Sequence, residues 1–224
     1  VRRFFSATWA IFWKDIRAEF RTKDIFTGMF IFSLLSLLVF NFAFDLRVSN
    51  VRQVLPGVIW VSIAFSSMLG LNRSFVLEMD RGSLEGILLA PVDRSALYFG
   101  KMLGNLVFMV AVEVVLLPVM VVLFNVNVLT PSVLVFVFLG TVGFAVVGTV
   151  FAAMAVNTRA REVLLPVLLL PVMVPVLIAA VKGTANVLDG GTLLEQGDWL
   201  RVLLAFDVIF LAVAFMMFDY VVEE

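Results

Sequence analysis

Residues 75–91 read "FVLEMDRGSLEGILLAP", and they differ from everything that flanks them. Within this stretch stand Glu78, Asp80, Arg81 and Glu85, with Gly82 and Gly86 inside and Pro91 at its close. Apolar runs lie on either side, one from Pro56 to about Leu71 and one from about Leu97 to Phe124. A helix needs about 20 apolar residues to cross some 30 Å of hydrocarbon. A short charged interval between two such runs therefore reads as a connection between membrane spans, and it decides the class of the whole chain.

Composition agrees. Of 224 residues, 62% are hydrophobic and 15% charged, with a mean hydropathy of +1.11. Soluble domains are about half apolar and a quarter charged. The runs are apolar all round rather than alternating, which excludes a β-barrel and predicts an all-α, polytopic integral membrane protein. A net charge of −1 gives no reason to expect a nucleic-acid partner. There is no cysteine and no histidine. Disulfides, thiolate metal sites and the commonest general base are excluded with them, and no metal is expected. No G-x-x-x-x-G-K-[ST] phosphate loop, HExxH or GxSxG occurs, so catalytic residues are not expected. Any ATP would be held by another chain. The chain opens at Val1, read as a non-standard or trimmed start, and no cleavable signal peptide is expected.

Working outward, residues 1–24 predict an amphipathic N-terminal interfacial helix. Phe5, Trp9, Phe12, Ile16 and Phe20 share one helical face. Lys14, Asp15, Arg17 and Arg21 lie mostly off it, a pattern suited to the headgroup layer. Residues 25–224 are read as one domain of six spans: Ile25–Phe44, Pro56–Leu71, Leu97–Phe124, Ser132–Val156, Val163–Val181 and Leu200–Val222. Pro56 is read as lying in the first turn of the second span. Three prolines, Pro166, Pro171 and Pro175, predict a kinked or broken fifth span. In the fourth, Thr141, Ala145, Thr149 and Ala153 recur every four residues with Gly148 and Ala152 alongside, a small-residue face for close helix packing.

Basic residues orient the spans. Twelve of the sixteen lie in the N-terminal segment, around the 75–91 connection and in "NTRARE" (157–162); only Arg47, Arg52, Lys182 and Arg201 lie opposite. The positive-inside rule then makes both termini cytoplasmic. "NVNVLT" (125–130) and "VKGTANVLDGGTLLEQGDW" (181–199) face outward. Residues 75–91 face the cytoplasm as a short helix with Phe75, Leu84, Ile87 and Leu88 on an oily face and Glu78, Arg81 and Glu85 on a charged one. Gly82 and Gly86 admit close approach by another backbone.

Three polar residues within the spans are candidates for a functional role. Glu113, in "VFMVAVEVVLLPV" (107–119), would cost on the order of 2.5–3.5 kcal/mol if ionised at mid-membrane. It should face protein, protonated or paired. Asn105, two turns earlier, shares nearly the same face. Asp207 lies about two turns into the last span, where Arg201 could compensate it. Asp219 and Tyr220 are read as interfacial. Each intramembrane group reads either as a packing lock or as a point on a path.

The stretch "LPGVIWVSIAFSSMLGLNRSFVLEMDRGSLEGILLAPVDRSALYFGK" (55–101) resembles the CcmB family, the permease subunit of the haem exporter of cytochrome c maturation. Pro56, Gly57, Val58, Ile59, Trp60 and Val61 match its span start. Gly82, Ser83, Leu84, Glu85, Leu88, Leu89 and Pro91 match the connection, and Lys101 the lysine opening the next span. "LLPVLLLPVMVPVLI" (164–178) is similar to the family's proline-rich fifth span. The chain departs at Arg81, where the family often has Asp, and Glu78 and Asp80 stand for its paired acids. The resemblance implies that 75–91 is a cytoplasmic coupling segment, with Glu78, Asp80, Arg81, Gly82, Ser83, Leu84 and Glu85 docking on an ABC ATPase. It implies a CcmA-like ATPase, a CcmC-like haem-handling membrane protein and a haem chaperone as partners in the bacterial inner membrane. ATP acts through the partner, and haem is the substrate or its carrier's cargo. With only Met and Tyr to offer an iron, this chain is not expected to be the main haem holder and is assigned no cofactor of its own. Pairing as a homodimer or with a different permease stays open. So do three other functions: a permease for another hydrophobic substrate, a non-transporting scaffold relaying ATPase motion, and a secondary transporter using Glu113.

Overall fold

Helices joined by tight corners account for nearly all of the computed structural model, which describes residues 2–45, 50–80, 94–156, 158 and 160–221. In chain order they are α1 (Arg2–Thr22), α2 (Asp24–Asp45), α3 (Val51–Asp80), α4 (Arg94–Phe124), α5 (Pro131–Val156), α6 (Arg161–Leu188), a 3-10 turn (Leu194–Gln196) and α7 (Gly197–Val221). No strand occurs among the described residues. All but α1 include a segment long and apolar enough to cross a bilayer. The chain is an all-α, multi-pass membrane protein.

The corners follow local chemistry. Lys23, with φ 56°, turns the chain between α1 and α2. Asn50 Oδ1 accepts from Arg52 N at 3.1 Å and starts α3, satisfying one of the orphan donors of a first turn. Asn125, with φ 51°, ends α4, a position where Asn is one of the few tolerated residues after Gly. Thr130 Oγ1 accepts from Val133 N at 3.4 Å, and Pro131 follows as the first residue of α5.

Two expectations are corrected here. The second span begins earlier than Pro56: α3 starts at Val51, so the proline lies inside the helix. Asn50 supplies the start signal instead. For the fifth span, read as kinked or broken, only the break is overturned, since α6 is continuous through Pro166, Pro171 and Pro175; the span also ends later than Val181, at Leu188. In a packed membrane helix, neighbouring groups can re-satisfy the carbonyls that proline leaves open.

α5 is the central helix and packs against α3, α4, α6 and α7. It does so through two small-residue faces. Gly140 and Gly148 receive Trp60 and Leu71 of α3, each lying where a β-carbon would otherwise stand. Thr141 and Thr149 face α4. Trp60 also donates its Nε1–H to Thr184 Oγ1 at 3.1 Å, fastening α3 to α6. α2 rests on α3 and α4, with Asn41 Nδ2 donating to the Leu123 carbonyl at 3.0 Å.

Candidate functional site

The polar residues singled out above fall into three places. The first is the charged connection. Glu78 and Asp80 belong to the last turn of α3, because the helix runs unbroken from the span through Phe75 to Asp80; their side chains lie outside the described residues. Arg81, Gly82, Ser83, Leu84 and Glu85 lie wholly outside them, as does the rest of the stretch to Pro91. Phe75 is not part of a separate surface helix: it is 2% exposed and buried in the bundle.

What is described is the frame that holds this connection, namely the end of α3 and the start of α4. Lys101, two turns into α4, is buried, and its Nζ lies 3.0 Å from Asp15 Oδ2 of α1. The same ammonium donates to the Ser74 carbonyl of α3 at 3.3 Å and lies 5.3 Å from the Phe75 ring centroid. Asp15 also meets Lys14 at 3.2 Å. α1 approaches α4 closely because Gly100 and Gly104 face it. A β-carbon on Gly100 would stand 2.8 Å from Ile11 Cβ and 3.0 Å from the Thr8 carbonyl.

So α1 turns Thr8, Ile11, Asp15 and Glu19 toward the protein and leaves Phe5, Trp9, Trp13 and Phe20 exposed. Of the expected stripe, Phe5, Trp9 and Phe20 point outward, but Ile16 is buried and Phe12 packs on the core; the protein-facing side lies roughly a third of a turn from the exposed aromatics. This frame was not singled out from sequence. The Gly100–Gly104 spacing is the small-xxx-small signature and was available to find it. The Asp15–Lys101 pair carries no such signal, being distant in sequence.

At the joint to α2, the buried Glu19 accepts from Phe26 N at 2.8 Å. Burial pushes its carboxyl above the usual range, against the lowering effect of the Phe26 and Ile25 backbone donors; nearby Asp24 adds a smaller push upward.

The second place is mid-membrane, between α4 and α5. Glu113 is 6% exposed, and Thr141 Oγ1 lies 2.5 Å from its Oε1. The same hydroxyl is 2.8 Å from the Val137 carbonyl. A hydroxyl has one proton, so both bonds form together only when Glu113 is protonated and donates to Thr141. Two turns along, Asn105 Nδ2 donates to Thr149 Oγ1 at 3.1 Å. The two pairs form a polar seam across the helix interface, which Tyr98 extends by donating its hydroxyl to the Val146 carbonyl at 3.1 Å.

The third place is Asp207 on α7, 7% exposed. Neither carboxyl oxygen has a hydrogen-bond partner among the described residues. Oδ1 faces Gly143 of α5, 3.0 Å from where a β-carbon would be. Arg201 does not compensate it: that guanidinium pairs with Asp198 at 3.2 Å on the exposed end of α7. With water within reach, a long side chain keeps its charge there. The side chains of Asp219 and Tyr220 lie outside the described residues. No three Asp, Glu, His or Cys side chains converge as a metal site among the described residues.

Comparison with known proteins gives a consistent result. The family model described as CcmB protein matches residues 6–223. The heme exporter protein B of Rhodobacter capsulatus is 28% identical over 172 residues, 75% of this chain and 78% of that protein. The protein of the same name from Bradyrhizobium diazoefficiens is 27% identical over 182 residues, 81% and 82% of the two chains. That of Pseudomonas aeruginosa is 26% identical over 166 residues, 74% of each.

Proposed function

The chain belongs to the CcmB protein family, and on that premise we propose that it is the membrane permease subunit of an ABC-type haem exporter serving c-type cytochrome biogenesis. The observation that carries this reading is the extent of the family match, which takes in most of α1 and all six spanning helices. The relatives are named as heme exporters, and that function is carried over here. ATP hydrolysis resides in a separate cytoplasmic ABC ATPase, since the sequence has no phosphate loop. Residues 75–91 are the coupling segment that docks on it. Two long helices, α3 and α4, frame that segment, an arrangement suited to passing a displacement into the membrane. Both termini are cytoplasmic and the membrane is the bacterial inner membrane. A CcmC-like protein and a haem chaperone complete the complex. The transported unit is haem, or the ATP-driven step releases the haem-loaded chaperone.

The polar seam supports a packing role for Glu113 and Asn105 more than a proton path, because both side chains find partners within the protein. This weighs against the secondary-transporter reading.

The test is purification of the native complex with its partners and bound pigment identified, from wild type and from Glu85→Arg and Leu84→Asp variants. The expected result is co-purification of an ATPase and a haem protein, with ATP-dependent maturation lost in both variants at normal abundance. If ATPase retention and maturation are unchanged in both variants, residues 75–91 are not the coupling segment. Orientation is tested separately. A reporter active only outside the cytoplasm should be silent after Glu224 and active within residues 183–198.

A further inference from the structure

We propose that Lys101 is the positioning residue that fastens α1 to the two helices framing the coupling segment, so that α1 moves with that segment during the ATPase cycle. This rests on the coupling reading given above and adds a component to it: the N-terminal helix as a driven part rather than a passive anchor.

A buried ammonium is tolerated only where its charge and its protons are met. Lys101 is almost wholly buried and is met from two other helices. Asp15 of α1 supplies a countercharge at 3.0 Å. The Ser74 carbonyl of α3 accepts at 3.3 Å, and the Phe75 ring lies 5.3 Å away. A lysine suits this place because its ammonium is a compact charge with three donors on a flexible stem. Around it the backbones are close. Gly100 admits Ile11 and the Thr8 carbonyl, and a β-carbon on Gly104 would lie 3.7 Å from Asp15 Cβ.

The contact joins three elements at one point. Ser74 adjoins the coupling segment and Phe75 is its first residue, while Lys101 stands ten residues beyond its close at Pro91, on the helix that leaves it. Any displacement that changes the distance between the end of α3 and the start of α4 must break the ammonium's contacts or carry Asp15 along. Giving up the ion pair to Asp15 costs a buried charge one of its partners, so carrying Asp15 along is the easier course. From Asp15 the connection continues through Glu19, whose carboxylate holds the Phe26 amide of α2. The first spanning helix is thus linked to the coupling segment through α1.

The experiment uses the purified wild-type complex with its ATPase, and reads hydrogen exchange of the α1 amides with and without a non-hydrolysable ATP analogue. In wild type, nucleotide should change α1 exchange by about threefold or more. In Asp15→Asn and Lys101→Met complexes that retain the ATPase, this response should be lost. A second variant guards against misfolding. Asp15→Cys with Gly104→Cys places β-carbons at a spacing that a disulfide accepts, in a chain with no other cysteine. Oxidised, this variant should recover the nucleotide response; reduced, it should lack it. The proposal is overturned if wild-type α1 ignores nucleotide, if the response survives both single substitutions, or if the oxidised and reduced forms behave alike. Absence of any ATPase from the wild-type complex would instead overturn the coupling reading itself.

Discussion

Glu113 and Asp207 are the same functional group at nearly the same depth, on opposite flanks of one helix. Their α5 neighbours, Thr141 and Gly143, are two residues apart, within about 3 Å along the helix axis and more than half a turn round. Glu113 meets a hydroxyl that is itself bonded to the backbone. Asp207 meets a glycine, and both its oxygens lack partners among the described residues. The difference is made by the facing residue on α5. A threonine turns a buried carboxyl into a lock, whereas a glycine admits the carboxyl without answering it. Leaving a buried polar group unmet costs about 1–3 kcal/mol, so the two sites should respond to substitution with opposite signs.

The sharpest test of that contrast is Thr141→Val. It strips Glu113 of its partner and should lower stability by about 1–3 kcal/mol, read as a fall in the thermal midpoint of the detergent-solubilised protein. A fall no larger than that of Glu113→Gln, which keeps shape and bonding, would break the contrast. Glu113→Leu should cost less, no more than about 1.7 kcal/mol, the upper range for polar pairs between membrane helices. Thr141 keeps its bond to Val137 in that variant, so nothing is orphaned. Asp207→Leu should raise stability by about 1 kcal/mol as the unmet carboxyl disappears, while Asp207→Asn should gain nothing. A destabilised Asp207→Leu protein would mean that the carboxyl does have a partner in the assembled complex.

The smallest effect belongs to Glu19, at the joint of α1 and α2. Its carboxyl is held above the ordinary value of 4.5 by burial, so the folded state binds the proton more tightly than the unfolded chain. The stabilising increment is full below the ordinary value and is lost as pH rises through the raised one. The thermal midpoint of the solubilised protein should therefore fall slightly from mildly acid to neutral pH. Glu19→Gln should flatten that dependence.

Much of this was legible from residue order. Six apolar runs predicted six spanning helices, and long apolar periods are the signals least disturbed by tertiary context. The seam itself was half legible. Glu113 and Asn105 share a face of α4, and Thr141 and Thr149 share a face of α5. The members of each pair stand equidistant from Asn127, the middle of the tight turn joining the two helices. A hairpin folded about that turn brings both pairs into register, so the partners could have been named from sequence. The ends of α3 and α6 were hidden because helices outrun their apolar cores, and polar flanks such as "VRQVL" look like loop. Arg201 was misassigned because helical spacing shows which side a residue occupies and not whether water is within its reach. The Asp15–Lys101 pair was invisible for another reason. It depends on how α1 folds back across α4, which is set by the corner at Lys23 and by glycines on a different helix.

The two partnered groups on α4 also give the molecule a depth scale. Glu113 and Lys101 are twelve residues apart on one continuous helix, about 18 Å along its axis. Half the hydrocarbon thickness is about 15 Å. If the Glu113–Thr141 bond marks the bilayer midplane, the Lys101–Asp15 pair sits just past the hydrocarbon edge, among the headgroups. α1 is pinned at that level by its own charge, with Trp9 and Trp13 turned away from the protein at the depth where indole rings partition best. A lipid bilayer thinned or thickened by a few ångströms would shift that edge relative to a fixed rung on α4. The helix proposed here to follow the ATPase would then also be the part of the protein most sensitive to membrane thickness.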